Sequence, residues 1–135
     1  MNDREKAIGL LRGDVTCALC KGDRAFTTVE RGVKPLLKLL QSGENYAGFA
    51  AADKVVGKAA AFLYALLQVD YVYAHVISAP ALRTLERLGI SVAYAQQVPA
   101  IRNRAGTGFC PMETAVWNVD DPHIAYDILK RKTSV

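Results

Sequence analysis

The sequence lacks an apolar segment that is long enough to cross a bilayer. Its longest apolar stretch runs from Val55 to Leu67 and is interrupted by Gly57 and Lys58, so it falls short of the roughly 20 residues that a membrane span requires. The first six residues carry charges of both signs, and neither an apolar export region nor a small-residue cleavage site follows them. We therefore predict a protein without a membrane span, located in the cytoplasm.

The sequence also has few cysteines and only a small net charge. An odd count of three cysteines gives little basis for a disulfide framework. The net charge of +4 is modest, and the basic residues are scattered among acidic ones, so nucleic acid is not the expected partner. A small anionic metabolite is the ligand class that this composition allows.

Length and hydropathy favour a single domain over residues 1–135. Of these residues 51% are hydrophobic, which suffices for a core but leaves no room for a second domain of ordinary size. After an initial hairpin, helices and strands alternate, which predicts parallel pairing. We predict an α/β fold of three layers, α/β/α, around a mixed five-stranded sheet. The predicted strands cover residues 15–20, 25–29, 46–50, 71–77 and 90–94, and the main helices cover 4–12, 35–40, 53–67, 81–88 and 123–132.

Two segments resemble parts of a known fold. In residues 72–94 a strand leads into a helix through Pro80, and another strand follows, as in the deaminase segment that contains a Pro-Cys-x-x-Cys helix. Ala52-Asp53-Lys54 opens a predicted helix that begins His-Ala-Glu or Cys-Ala-Glu in deaminases. Together with the order hairpin, helix, strand, helix, strand, helix, strand, these segments resemble the cytidine-deaminase-like fold.

The resemblance does not extend to the catalytic zinc site. Ala81 and Thr84 stand at the two cysteine positions, and residues 52–54 supply neither the metal ligand nor the proton-shuttling glutamate. Without these ligands a zinc-activated water cannot be assembled there, so we predict no metal and no cofactor. Residues 30–32, 53–61, 103–104 and 110–113 more closely resemble an uncharacterised bacterial and archaeal family with this fold, which implies a fold but no activity.

The predicted helix from Asp53 is a candidate anion site. Asp53 suits the N-cap, and Lys54 and Lys58, four residues apart, share the side of the helix that carries small residues. We interpret both ammonium groups as converging with the helix N-terminus on an anion, because its free N–H groups and positive dipole end favour negative charge. Alternatively, this side simply reaches solvent. Arg31, just past the second strand, is a further candidate contact.

Cys110 is the candidate nucleophile. It precedes Pro111, a residue favoured at the first helical position, so we predict Cys110 at a helix N-cap. A thiol there, with Arg102 and Arg104 close in sequence, is placed to favour the thiolate. Glu113 is either a proton carrier or the partner of Cys110 in a capping box. The alternative for Cys110 is a buried structural thiol.

Cys17 and Cys20 offer weaker chemistry. They lie three residues apart in a predicted strand and should point to opposite faces, whereas a redox Cys-x-x-Cys opens a helix. A metal site would need further ligands from Cys110, His75 and His123, which form no closely spaced pair. We expect ordinary core thiols.

The candidate residues should meet at one edge of the sheet. Ligands of open α/β sheets bind at the carboxyl ends of parallel strands, and a loop folded back over that edge would complete a pocket. Two functions follow: an enzyme acting on a small anionic, nucleotide-like metabolite through Cys110 and Glu113, or a zinc-free binding or regulatory module. A purely structural role predicts no polar pocket, and self-association through an exposed helix or sheet edge is a further expectation. The predicted pocket residues are Lys54, Lys58, Ser78, Asn103, Arg104, Cys110 and Glu113.

Overall fold

The alternation of strands and helices after the hairpin builds one mixed sheet. A computed structural model describes residues 1–103, 106, 108 and 110–133. The five strands follow the order β2-β1-β3-β4-β5; β1 is antiparallel to both neighbours, whereas β3, β4 and β5 are parallel. The strands are β1 (Cys17–Lys21), β2 (Arg24–Thr28), β3 (Ala50–Val56), β4 (Tyr71–Ser78) and β5 (Ser91–Val98). The helices are α1 (Asp3–Leu10), α2 (Lys34–Gln41), α3 (Lys58–Leu67), α4 (Ala79–Arg87), α5 (Pro111–Ala115) and α6 (Pro122–Thr133).

Helices cover both faces of the sheet, so the predicted α/β class and mixed five-stranded sheet are confirmed. On one face, Ala7 and Leu11 from α1 and its C-cap pack against a small cluster that includes Tyr71. On the other face, α3 contacts α2, α4 and α6 and contributes the fully buried Phe62 and Leu63. Complete burial of such side chains stabilises a fold by about 1.5–3 kcal/mol each. Among the residues described, no helix is long and apolar enough to span a bilayer.

The boundary between β3 and α3 differs from the prediction. The strand was expected at 46–50 and the helix from Asp53, but β3 runs from Ala50 to Val56 and α3 starts only at Lys58. Alanine favours helices in isolation, yet here the three alanines at 50–52 are buried in a strand paired on both sides. Tertiary pairing therefore overrides the local propensity.

This shift changes the geometry of two predicted site residues. Asp53 is a strand residue rather than a helix N-cap; the N-cap of α3 is Gly57, which has no capping side chain of its own. Lys54 is also in β3, so it does not share a helix face with Lys58. The predicted pairing of the two lysines along one helix was wrong.

Candidate functional site

A cleft of about 970 Å³ opens at the carboxyl end of β3. It lies between the ends of β1 and β3, the segment that links β2 to α2, and residues 101–103 and 110–113. This position is expected for a ligand site, because the carboxyl end of a parallel strand and the start of the next helix leave a crevice at the sheet edge. The volume lies within the range of pockets that enclose small metabolites.

A chain of hydrogen bonds lies below the cleft. The hydroxyl of Tyr64 donates to Oδ2 of Asp53 over 2.6 Å, and Sγ of Cys17 lies 3.1 Å from the same hydroxyl oxygen. The backbone N–H of Val55 donates to Oδ1 of Asp53 over 3.2 Å. Asp53 and Cys17 both line the cleft, whereas Tyr64 is completely buried in α3. Asp53 thus presents a carboxylate that is held on one side by the core.

Burial determines the protonation of these three groups. It raises the pKa of Asp53 to about 6, against the opposing effect of the hydrogen bonds from Tyr64 and the backbone. Burial, and then the charge of Asp53, raise the pKa of the Tyr64 hydroxyl and of the Cys17 thiol well above their usual values. At neutral pH the cleft therefore contains an ionised Asp53 beside a neutral tyrosine and a neutral thiol.

Glu113 caps a helix, although a different one from the helix expected. Its side chain is only 3% exposed, and its two carboxylate oxygens accept hydrogen bonds from the backbone N–H groups of Lys58 (2.6 Å) and Ala59 (2.9 Å) at the start of α3. Burial raises the pKa of Glu113, while those two hydrogen bonds lower it. The predicted anion at this helix N-terminus is therefore supplied by the chain itself, and the capping box with Cys110 is not formed.

Gly57 makes room for this carboxylate. A Cβ atom built on Gly57 would overlap Cδ and both oxygens of Glu113. The backbone of Gly57 has an ordinary φ of −99°, so the requirement is for space rather than for an unusual conformation. Glycine is the one residue that lets the carboxylate approach this turn closely.

Two of the predicted pocket residues do not line the cleft. Nζ of Lys58 donates to the carbonyl oxygen of Trp117 over 2.8 Å, and burial lowers the pKa of this ammonium group. Ser78 is fully buried as the N-cap of α4, where its hydroxyl accepts from the N–H of Ala81 over 3.1 Å. Both side chains hold helix ends in place and are not among the residues around the cleft.

The remaining predicted residues that are described do meet at the cleft. Arg31 is exposed, while Lys54, Asn103 and Cys110 are half-buried, and all four line it. Nζ of Lys54 donates to the carbonyl oxygen of Gly13 over 2.7 Å. Cys110 is the N-cap of α5, as predicted. Arg104 lies outside the described residues.

Several contributors to the cleft were missed from the sequence. Arg102, considered in the sequence only as a neighbour of Cys110, adds a second exposed guanidinium to the cleft. Val29 and Val55 are exposed apolar wall positions, and Ile101 is a half-buried one. Tyr64 is the most informative omission, because a tyrosine within an apolar helix needs a hydrogen-bond partner when buried. That rule predicts a polar partner for Tyr64 but does not identify Asp53 as the partner.

The structure also bears on the predictions for Cys17, Cys20 and a metal site. Cys17 belongs to the main core and Cys20 to the cluster under α1, so the two thiols lie on opposite faces of the sheet, as predicted. In the part of the chain that the structure describes, no three histidine, cysteine or acidic side chains are grouped so as to hold a metal ion.

Comparison with known proteins identifies a family without an assigned activity. The family model described as TM1506, domain of unknown function DUF1893, matches residues 7–133. The chain is also similar to the crystal structure of a DUF1893 family protein, TM1506, from Thermotoga maritima. That comparison gives a TM-score of 0.81 and 32% sequence identity, and covers 88% of this chain and 81% of that chain. No curated protein matches.

Proposed function

Since the chain belongs to the DUF1893 family, a domain of unknown function, we propose from its cleft that it binds a small anionic, nucleotide-like metabolite. The observation that carries this proposal is that one cleft brings together basic and acidic side chains. The exposed guanidinium groups of Arg31 and Arg102 line it together with the half-buried carboxylate of Asp53. Such a site favours a ligand with an anionic end and a hydrogen-bond-donating end.

The cleft is not uniformly positive, and this limits the ligand class. The exposed side chains of Asp14 and Glu30 also line it, and the carboxylate of Glu30 pairs with Nζ of Lys38 over 3.1 Å. The carboxylate of Glu113 is occupied by the N–H groups at the start of α3. Asp53, half-buried and part of the cleft wall, is the acceptor that we propose for a ligand donor, because a partly buried ionised group at a cleft is typical of functional sites. The apolar wall at Val29 and Val55 suits a flat ring between the two polar ends.

We also propose that the domain is a zinc-free relative of the cytidine-deaminase-like fold. Support comes from the element order, in which the hairpin β1–β2 is followed by α2, β3, α3, β4, α4 and β5. The helix that corresponds to the deaminase zinc helix opens at Gly57-Lys58-Ala59 rather than at Asp53. These side chains include no ordinary zinc ligand, and the neighbouring carboxylate of Glu113 is engaged by backbone N–H groups.

A binding or regulatory role is supported better than catalysis through Glu113. Both oxygens of Glu113 accept backbone hydrogen bonds, so this carboxylate is not placed to carry a proton to a ligand in the cleft. Chemistry that depends on Cys110 is the second candidate, because its thiol is partly exposed and lines the same cleft as Asp53. A cytoplasmic location stays part of the proposal and is consistent with three free cysteines.

Calorimetric titration with nucleoside monophosphates, and with inorganic phosphate as a minimal anion, tests the proposal. We expect at least one nucleotide to bind, and the change Arg31→Gln with Arg102→Gln to weaken it by about tenfold or more, since a charge-assisted hydrogen bond is worth about 1.5–3 kcal/mol. Arg131→Gln, on the exposed side of α6, is the matched control and should leave affinity unchanged. Absence of binding by every probe, or equal binding to the double variant, would contradict the proposal.

Cys110→Ala separates the two candidate functions once a nucleotide ligand is known. For a binding module the affinity should stay within about twofold of the original, because the thiol contributes little to a charged ligand. For an enzyme, incubation of the bound nucleotide with the unchanged protein should yield a new product by mass spectrometry, and Cys110→Ala should abolish it.

A further inference from the structure

The strand β5 forms one edge of the sheet and is unusually open. It spans Ser91–Val98 and pairs with β4 on one side. Within the described part of the chain, no strand pairs with its other side. The unpaired backbone N–H and C=O groups of such an edge form a template for another extended chain.

Neither helix layer covers the second half of β5. Tyr94, Ala95, Gln96 and Gln97 are consecutive and all exposed. Since successive side chains of a strand point to opposite faces, both faces of the sheet reach solvent here. This half of β5 therefore receives little stabilisation from the core, whereas Val92 and Ala93 in the first half pack against the two hydrophobic clusters.

Charge distinguishes β5 from the other edge of the sheet. Residues 90–101 contain no Asp, Glu, Lys, Arg or His, and the strand contains no proline, whereas natural edges are usually protected by charge, proline or a bulge. The opposite edge, β2, is five residues long and begins at Arg24, whose guanidinium donates to the carbonyl of Asn45 and pairs with Glu44. The strand β5 itself carries no charged side chain that could protect its edge in this way.

We propose that β5 pairs antiparallel with β5 of a second copy of this chain, across a two-fold axis. In this arrangement each residue of β5 faces an uncharged residue of β5 in the other copy, so no like charges meet. The pairing is closed, because the same edge is used by both copies. Pairing of β5 with β2 would instead bring a charged edge into the interface and give a ring or an open filament rather than a two-fold dimer. The dimer joins five strands from each copy into one sheet, with the 42% exposed Tyr94 beside the join.

The test is sedimentation equilibrium of the full chain from micromolar to millimolar concentration. We expect a monomer–dimer equilibrium. Gln96→Lys with Gln97→Lys, and separately Gln96→Glu with Gln97→Glu, should each raise the dimer dissociation constant by about tenfold or more through like-charge repulsion. An equimolar mixture of the two variants should recover the dimer. Gln41→Lys on the exposed end of α2 is the matched control.

Hydrogen exchange provides a measurement that needs no variant. The amides of residues 91–98 should exchange more slowly at a concentration where the dimer forms than at one where the monomer prevails. A chain that stays monomeric throughout the range would overturn the proposal. So would charged variants that associate as strongly as the original protein, or a mixture that associates no better than either variant alone.

Discussion

At the residue scale, Gly57 shows how the side chain of a residue far away in sequence can determine which residue type a position accepts. Its φ of −99° is accessible to any residue, so conformational freedom does not explain the glycine. The constraint is the Glu113 carboxylate, which occupies the space that a Cβ atom of residue 57 would need. The two positions are far apart in sequence, and only the folded arrangement makes one depend on the other.

Replacing Gly57 by alanine should therefore destabilise the protein by about 1–3 kcal/mol, the usual cost of forcing extra atoms into a packed site. Urea denaturation measures the change. In the background Glu113→Ala the same substitution should cost much less, and this difference in a double-mutant cycle identifies the carboxylate as the cause. Gly9→Ala is the control, since nothing lies near its added methyl group. Equal costs of Gly57→Ala in the two backgrounds would contradict this explanation.

At the element scale, α5 is too short to be stable by itself and depends on its contact with α3. It has five residues, well below the length at which an isolated helix forms in water. Two polar contacts join it and the following turn to the start of α3: the carboxylate of Glu113 on the first N–H groups, and Nζ of Lys58 on the carbonyl of Trp117. Since Cys110 and Met112 line the cleft, this contact also positions one of its walls.

Changing Glu113 to glutamine should loosen α5. A carboxamide has one acceptor oxygen, so one of the two N–H groups of α3 would face an NH₂ donor and lose its partner, at a cost of about 1–3 kcal/mol. Hydrogen exchange measured by mass spectrometry should become faster for residues 111–117, while α6 keeps its protection.

The control for this variant is Glu86→Gln, on the exposed side of α4, which should leave exchange in α5 unchanged. If Glu113→Gln leaves the exchange of residues 111–117 as slow as in the original protein, the carboxylate does not hold α5 in place.

Elements with clear local signals were predicted well. The hairpin, the apolar strand β4 and the final helix after Asp121-Pro122 all appear where expected, since turn residues and caps act over a few positions. The start of α3 was misplaced because alanine-rich β3 resembles a helix locally and Gly57 offers no capping side chain. The long-range partners, Tyr64 with Asp53 and Glu113 with α3, depend on packing that residue spacing does not encode.

At the scale of the whole molecule, the cleft links ligand binding to stability. Asp53 is ionised at neutral pH although its surroundings favour the neutral form. Burying the ionised carboxylate of Asp53 therefore lowers the free energy of unfolding. Natural proteins retain such destabilising groups chiefly at functional sites. The pH dependence of the unfolding free energy therefore reports on Asp53 before any ligand is known.

The stability of the protein should fall as the pH rises from about 4 to about 6. Folding raises the pKa of Asp53 from 3.8 to about 6, so between these values the folded chain holds a proton that the unfolded chain has released. Through linkage this difference amounts to about 3 kcal/mol, which is lost as the pH passes through the folded pKa. Glu113, whose pKa is also raised, changes stability in the same direction.

Asp53→Asn isolates the contribution of the one carboxylate. The amide oxygen can still accept from Tyr64, and the NH₂ group takes the place beside the N–H of Val55 that the O–H of a protonated carboxyl would take. The variant therefore resembles the neutral acid, and it should exceed the original protein in unfolding free energy by about 1–3 kcal/mol at pH 7 and match it near pH 4. Urea denaturation across this pH range gives both curves, and Asp127→Asn on exposed α6 should show no such pH-dependent difference. A loss of stability in Asp53→Asn that is equal at all pH values would instead make Asp53 a structural carboxylate. In that case its place in the cleft would no longer argue for contact with a ligand.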